Sequence, residues 1–240
     1  MAFDFNWSSL VMTWGVGILI CHAIVLLRWA RAWRLATRQT SDPDFANAPP
    51  FTVLIPARNE APRLPQLLDD LANQTLQVRI VMIDDHSEDA TAEVARRHAL
   101  HSQGLLHVIS SQHLGKKSAL LEAMAEVGTD WGVTVDADAR MEKHWAQTWS
   151  NRLSNALPTV AAVAGPVMLS AKPLPLGCWE SIQSLDFAAQ MGWTVGLLAQ
   201  QQPASASGAN LALRVNVYPD TRALGPSGDD TLVVQALQQD

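Results

Sequence analysis

The stretch FTVLIPARNE at residues 51–60 is an apolar run that ends abruptly in charged residues, which is typical of a buried strand followed by a loop. Further apolar runs follow at residues 78–83, 105–109, 133–135 and 160–167. Between them, amphipathic helical spacing occurs at residues 64–71, 92–99 and 119–127. This alternation predicts an α/β fold with a mostly parallel, Rossmann-like sheet and helices on both of its faces.

The composition is that of a folded chain. Of 240 residues, 48% are hydrophobic and only 17% are charged, below the roughly 25% charged share of a typical soluble protein. Some of the surface is therefore expected to meet something other than water. The net charge of −6 argues against a nucleic-acid-binding body. Cys21 and Cys178 fit no zinc or redox spacing.

An uncharged segment lies near the N-terminus at residues 10–27, and as a helix it would extend about 27 Å, which is enough to cross a bilayer. Trp7 and Trp29 flank it, and the basic residues follow it, at Arg28, Arg31, Arg34 and Arg38. A cleaved signal would have the opposite polarity. We predict a retained transmembrane anchor over residues 1–40, a linker over 41–50 and a cytoplasmic domain over 51–240. A buried core helix is the alternative to the anchor.

Charged side chains follow the predicted strands, whose carboxyl ends meet at one edge in a parallel sheet. They are Arg58 and Glu60, with the polar Asn59 between them, then Asp84 and Asp85, then Asp136 and Asp138. Converging carboxylates repel one another unless a cation or hydrogen-bond donors lie among them. We therefore expect a divalent metal, Mg²⁺ or Mn²⁺, since these ions prefer carboxylate oxygens.

The D-x-D pattern places Asp136 and Asp138 on one face of an extended segment. An EF-hand is excluded, because Met141 stands where that loop needs glycine. An isolated D-x-D is also common as two solvated loop carboxylates, so the pattern needs support from other motifs.

The segment GKKS at residues 115–118 does not match a phosphate-binding P-loop. Gly115 instead opens a predicted helix whose first turn holds Lys116 and Lys117. We expect the helix N–H groups and the Lys116 ammonium to face an anionic diphosphate. Lys117 is interpreted as a solvated residue.

Four segments, taken in order, resemble family 2 of the glycosyltransferases, the GT-A nucleotide-diphospho-sugar transferases. They are VLIPARNE at 53–60, IDDHS at 83–87, GKKSAL at 115–120 and VDADA at 135–139. Further on, SGANLALR at 207–214 and SGDD at 227–230 are similar to the acceptor-side segment and the acidic catalytic motif of that family. The resemblance implies a GT-A fold from residue 51 onward.

The resemblance also implies a nucleotide pocket at the end of the first strand, lined by Pro56, Ala57, Arg58 and Glu60. Asp85 would accept a hydrogen bond from the base. Asp136 and Asp138 would bind the ribose and the metal that bridges the diphosphate, with Asp138 as the direct ligand of the metal.

For catalysis, the resemblance implies that Asp230, or with less support Asp229, is the general base. It would take the proton of the acceptor hydroxyl as that group attacks the anomeric carbon, which inverts this centre. A helix N-terminal cap is an equally compatible reading of the pair. The Gln-x-x-Arg-Trp motif that many members carry further on is missing up to residue 240. We therefore expect either a truncated chain or a member that does without this motif.

The predicted function is a membrane-anchored inverting glycosyltransferase with a cytoplasmic catalytic domain. Its acceptor would carry a hydroxyl group on a lipid-linked molecule or a polysaccharide. The missing motif leaves open a non-catalytic nucleotide-sugar-binding or assembly module. A nucleotidyltransferase on the same fold is a weaker alternative, because residues 56–60 lack its glycine-rich loop. The apolar segment at 173–198 is either a core helix or an interfacial helix against the bilayer.

Overall fold

The computed structural model describes residues 7–37, 50–169, 177–198, 206–220 and 229–237. Helices in these segments are α1 (Trp7–Thr37), α2 (Leu64–Ala72), α3 (Thr91–Arg97), α4 (Ala99–Ser102), α5 (Lys116–Ala125), α6 (Trp145–Ser154), α7 (Cys178–Leu198) and α8 (Asp229–Ala236). The strands are β1 (Phe51–Ala57), β2 (Arg79–Asp84), β3 (Leu106–Ser110), β4 (Trp131–Thr134), β5 (Ala162–Ala164) and β6 (Leu211–Arg214). The chain divides into two compact units, one holding α1 and α7 and the other the remaining elements. Except for Pro50, the predicted linker lies outside the described residues.

Within the described residues, a six-stranded sheet forms the centre of the larger unit, in the order β3-β2-β1-β4-β6-β5. Neighbouring strands from β3 to β4 are parallel, and β6 runs antiparallel to both β4 and β5. The predicted mostly parallel α/β sheet is therefore confirmed. The edge strand β5 is shorter than the predicted run at 160–167. The Gly165 N–H still donates to the Asn210 carbonyl in register with β6, but the next residue, Pro166, has no N–H with which to continue the pairing.

Both faces of this sheet are covered by helices. Val53 of β1 lies in a buried cluster with Leu67 of α2 and Trp149 of α6. Leu54 and Met124 of α5 meet on the opposite face. A parallel strand covered on both sides has no solvent-facing positions, which explains why β1 reads as an unbroken apolar run.

The smaller unit consists of α1 and α7, which contact each other. Large apolar side chains remain exposed on both helices: Met12 at 71%, Trp14 at 69% and Leu27 at 70% on α1, and Trp179 at 67% and Leu185 at 73% on α7. Judged by length and hydropathy, none of the described helices qualifies as a membrane span. The predicted transmembrane anchor is therefore not confirmed.

Candidate active site

Asp85 is the buried centre of the site, and it directly follows β2. Its N–H donates to the Ala57 carbonyl at the end of β1, at 2.9 Å. Its Oδ1 accepts the N–H of Gly115 at 2.9 Å, and His86 Nδ1 lies 3.4 Å from the same oxygen. Only 5% of Asp85 is exposed. This carboxylate therefore joins the ends of β1 and β2 to the start of α5.

The loop after β1 is held against the loop after β2. Asn59 has a φ of +57°, a left-handed conformation that asparagine tolerates better than most residues. Its N–H donates to Ser87 Oγ at 3.0 Å, and its Oδ1 accepts the Glu88 N–H at 2.8 Å. The Glu60 N–H donates to Thr91 Oγ1 at 2.8 Å. Hydrogen bonds therefore hold the loop after β1 and the loop after β2 in fixed positions relative to each other.

Lys116 connects the start of α5 to the end of β4. Its Nζ donates to Asp136 Oδ1 at 2.8 Å. Gly115, just before it, has a φ of +111°, which a residue with a Cβ rarely adopts. The side chains of Lys116 and Asp136 are 38% and 37% exposed. An ion pair this open is worth about 0–1 kcal/mol, so an incoming anion or cation can displace it at little cost.

The loop that leads to Gly115 is tied to α5 by Glu122. The Glu122 carboxylate accepts the N–H groups of Gln112 at 2.8 Å and of His113 at 3.2 Å, and His113 Nδ1 lies 2.9 Å away. Burial opposes ionisation of Glu122, but these hydrogen bonds outweigh it and lower the pKa of the carboxyl below its ordinary value. These hydrogen bonds therefore fix the loop before α5 relative to the helix itself.

Asp136 and Asp138 follow β4 on either side of Ala137, which is buried in the core. Asp138 is exposed, and its side chain has no hydrogen-bond or ion-pair partner among the described residues. The described part of the chain also holds no cluster of three or more His, Cys, Asp or Glu side chains suited to a metal ion. Two carboxylates are nevertheless what Mg²⁺ takes when substrate phosphates complete its coordination. The donor set fits a metal shared with a diphosphate.

On the other side of β4, Asn210 ties together three elements. It ends the 3-10 turn Gly208–Asn210 before β6. Its Oδ1 accepts the indole N–H groups of Trp145 at 3.1 Å and of Trp149 at 2.9 Å, both from α6. Its Nδ2 donates to the Pro166 carbonyl at 2.9 Å. The segment that resembles an acceptor-side motif is thus held to α6 and to the end of β5.

Some predicted site residues lie outside this hydrogen-bonded network. Arg58 is exposed after β1. Pro56 lies inside β1, but the ladder to β4 ends at Leu54, so its missing N–H costs no bond on that side. Asp229 and Asp230 begin α8, and their side chains are not among the described ones. The general base therefore stays a prediction.

The sequence reasoning missed Asp70 of α2 and Arg140 of the loop after β4. Asp70 accepts hydrogen bonds from Arg140 Nε at 2.6 Å and Nη2 at 2.9 Å. The Arg140 hydrogen bond keeps the pKa of the Asp70 carboxyl below its ordinary value. The pair is separated by 70 positions in the chain and carries no local pattern, so no signal in the sequence could have joined them.

Residues 52–166 match the model of a family described as glycosyl transferase family 2. The curated 4,4'-diaponeurosporenoate glycosyltransferase of Staphylococcus haemolyticus (strain JCSC1435) is 33% identical over 97 residues, which cover 40% of this chain and 26% of that protein. Its namesake in Staphylococcus aureus (strain N315) is 29% identical over 133 residues, covering 55% and 34%. The matches therefore span at most 34% of the length of these two relatives.

The fold is also found in solved structures. The mannosyltransferase PcManGT from Pyrobaculum calidifontis, in complex with GDP-Man and Mn²⁺, superposes with a TM-score of 0.61 at 25% identity, covering 92% of this chain and 62% of that one. S. aureus TarS 1–349 in complex with UDP superposes with a TM-score of 0.54 at 16% identity, covering 78% and 54%. The expected GT-A architecture is thus confirmed for the α/β unit.

Proposed function

We propose that this chain, whose residues 52–166 match the model of glycosyl transferase family 2, transfers a sugar from a nucleotide-diphospho-sugar to a hydroxyl group of an acceptor. One observation carries the proposal: a hydrogen-bonded path runs from Ala57 through Asp85 and Gly115 to Lys116 and Asp136. It joins a buried carboxylate, a helix N-terminus with a lysine, and the first carboxylate of the D-x-D pattern. In that order, these groups suit the nucleotide base of the donor, its diphosphate, and a divalent ion bound to the diphosphate.

In the donor complex, Asp85 would accept a hydrogen bond from the nucleotide base, held in position by Gly115. The N-terminus of α5 and Lys116 would bind the diphosphate, and Asp136 and Asp138 would hold Mg²⁺ or Mn²⁺. When bound, such an ion supplies neutralisation of the negative charge on the departing nucleoside diphosphate. The GDP-Man and Mn²⁺ in the Pyrobaculum mannosyltransferase complex support this combination of donor and metal.

For the chemical step, we propose Asp230 as the general base, with Asp229 as the second choice. The base would remove the proton of the acceptor hydroxyl while the oxygen attacks the anomeric carbon, and the configuration at that carbon would invert. A positioned base contributes about 10²- to 10⁴-fold to such a rate. Support for this assignment comes from the SGDD segment at residues 227–230.

The test is a thermal-shift and transfer panel with UDP- and GDP-sugars, with and without Mn²⁺, because a ligand of the folded state raises apparent stability by RT ln(1 + [L]/Kd). Asp138→Ala should abolish the Mn²⁺-dependent shift and the transfer. Asp130→Ala is the matched control, since Asp130 is an exposed aspartate that precedes β4 at the opposite end of the strand. Absence of any donor-dependent shift in the wild type would refute the proposal.

We further propose that the two-helix unit attaches the protein to a membrane, with the α/β unit on the cytoplasmic side. Exposed large apolar side chains on α1 and α7 support this, because such surfaces typically contact lipid or another protein. Arg28, Arg31 and Arg34 follow the apolar part of α1 and suit an anionic lipid surface. In liposome flotation, the full chain should float with the vesicles, and Leu27→Glu with Leu185→Glu should reduce flotation. Equal recovery of wild type and variant in the lipid-free fraction would exclude attachment.

A further inference from the structure

The position of Asp138 is determined by its backbone, because its side chain has no partner among the described residues. On the N-terminal side, Ala137 is buried at 4% exposure, and the Ala139 N–H donates to the Asp136 carbonyl at 3.0 Å. On the C-terminal side, the chain leaves the sheet and runs over the surface until α6 begins at Trp145. Ala139 and Met141 of this stretch pack against the core, and further contacts that hold the stretch constrain the backbone that carries the Asp138 carboxylate.

Helix α2 holds this stretch two residues beyond Asp138, through Asp70. The Asp70 carboxylate receives the Arg140 guanidinium as a two-pronged pair, and its Oδ2 also accepts the Met141 N–H at 3.1 Å. Arg140 Nη1 donates to Gln66 Oε1 at 3.0 Å. Two-pronged pairs of this kind are stronger and more directional than a single hydrogen bond. The Asp70 side chain, only 16% exposed, therefore fixes both a side chain and the backbone of the loop.

The far end of the loop is held independently of Asp70. Gln74 Nε2 donates to the Glu142 carbonyl at 2.9 Å, and the Thr75 N–H donates to the Lys143 carbonyl at 3.0 Å. Loss of Asp70 is therefore expected to loosen the stretch next to Asp138 while the rest of the loop stays attached to α2.

We propose that Asp70 and Arg140 are positioning residues that hold the Asp138 carboxylate in the geometry needed to bind a divalent ion together with a nucleoside diphosphate. The inference rests on the proposed function and extends it to a pair outside the donor path. The physical reason is preorganisation: a carboxylate on a loosened loop must be ordered at the moment of binding, and this ordering subtracts from affinity.

The test measures Mn²⁺ affinity by electron paramagnetic resonance on the full chain, in the presence of UDP and, separately, of GDP. Asp70→Ala and Arg140→Ala should each weaken Mn²⁺ binding about tenfold, the lower end of the effect of residues that support metal ligands. The double variant should lose far less affinity than the two single losses combined, since each single variant already removes the shared Asp70–Arg140 pair. Asp69→Ala is the matched control: the side chain of this neighbouring carboxylate on α2 pairs with His98 and acts on Arg140 only through its charge. The Mn²⁺ affinity of this variant should stay close to that of wild type.

A second readout is independent of ligand. Hydrogen exchange at the Ala139 amide should be faster in Asp70→Ala than in wild type or Asp69→Ala. Arg140→Lys serves if Asp70→Ala does not fold, because Arg140 is half exposed and lysine keeps the charge without the two-pronged geometry. Its Mn²⁺ affinity should also fall.

The outcomes separate the two proposals. If the wild type fails to bind Mn²⁺ both in the presence of UDP and in the presence of GDP, the proposed function fails and the positioning role fails with it. If the wild type binds and the variants bind equally well, only the positioning role is overturned. A lower melting temperature with unchanged Mn²⁺ affinity would likewise assign Asp70 and Arg140 a purely structural role.

Discussion

Asn210→Ala is expected to destabilise the α/β unit substantially, because Asn210 Oδ1 is the acceptor for two indole N–H groups. The Trp149 indole is buried, and a buried donor left unpaired costs about 1–3 kcal/mol. The half-buried Trp145 loses a hydrogen bond worth about 0.5–1.5 kcal/mol. The bond from Asn210 Nδ2 to the Pro166 carbonyl is exposed and adds little. The expected loss is about 2–4 kcal/mol in total.

This loss is measured by thermal unfolding of the full chain, followed by circular dichroism. For a domain of this size, about 2–4 °C per kcal/mol predicts a melting temperature about 4–16 °C lower. Asn210→Asp should retain most of the stability, because its carboxylate still accepts both indole N–H groups. Asn155→Ala is the control, since Asn155 makes one exposed hydrogen bond to the Asn151 carbonyl. A melting temperature for Asn210→Ala close to that of Asn155→Ala would show that the Asn210 side chain does not hold the two indoles.

Three further outcomes are expected. Gly132→Ala should cost about 1–3 kcal/mol in urea unfolding, because its Cβ would lie 2.8 Å from Met124 Sδ and 2.9 Å from Leu54 Cδ1; an unchanged midpoint would contradict this packing. The lowered pKa of Asp70 means that its ionised form contributes stability above its ordinary value of 3.8, and this contribution is lost as the pH falls through the folded-state pKa. Melting temperatures recorded across this acid range should therefore fall less steeply for Asp70→Asn than for wild type. Lys116→Met should weaken binding of UDP in calorimetry but leave uridine unaffected, and equal losses for both would remove Lys116 from the diphosphate site.

Much of the fold was predictable from local pattern, because a strand buried on both faces must be apolar throughout. That is why residues 51–57 and 79–84 match the predicted runs closely. The strand order was not predictable in the same way. β4 pairs with β1 on one side and with the antiparallel β6 on the other, and no local feature of residues 131–134 distinguishes these neighbours.

The candidate site, like the fold, was predictable from the sequence only in part. Asp85 and Asp136 were predicted at one edge because parallel strands end together, and the structure joins their segments through Gly115 and Lys116. The Asp70–Arg140 pair was not predicted. Asp230 remains a prediction from a motif.

The amino-acid order alone specifies which residue types follow each strand, and it therefore predicts that carboxylates and a lysine gather at one sheet edge. Periodicity and strand-end chemistry are local properties that the chain carries wherever it folds. The contacts that hold those groups in place follow from tertiary packing: Glu122 binds the loop before α5, Asn210 binds two indoles, and Asp70 binds the loop of Asp138. Such contacts join distant parts of the chain, and their geometry exists only once the sheet and its helices have packed.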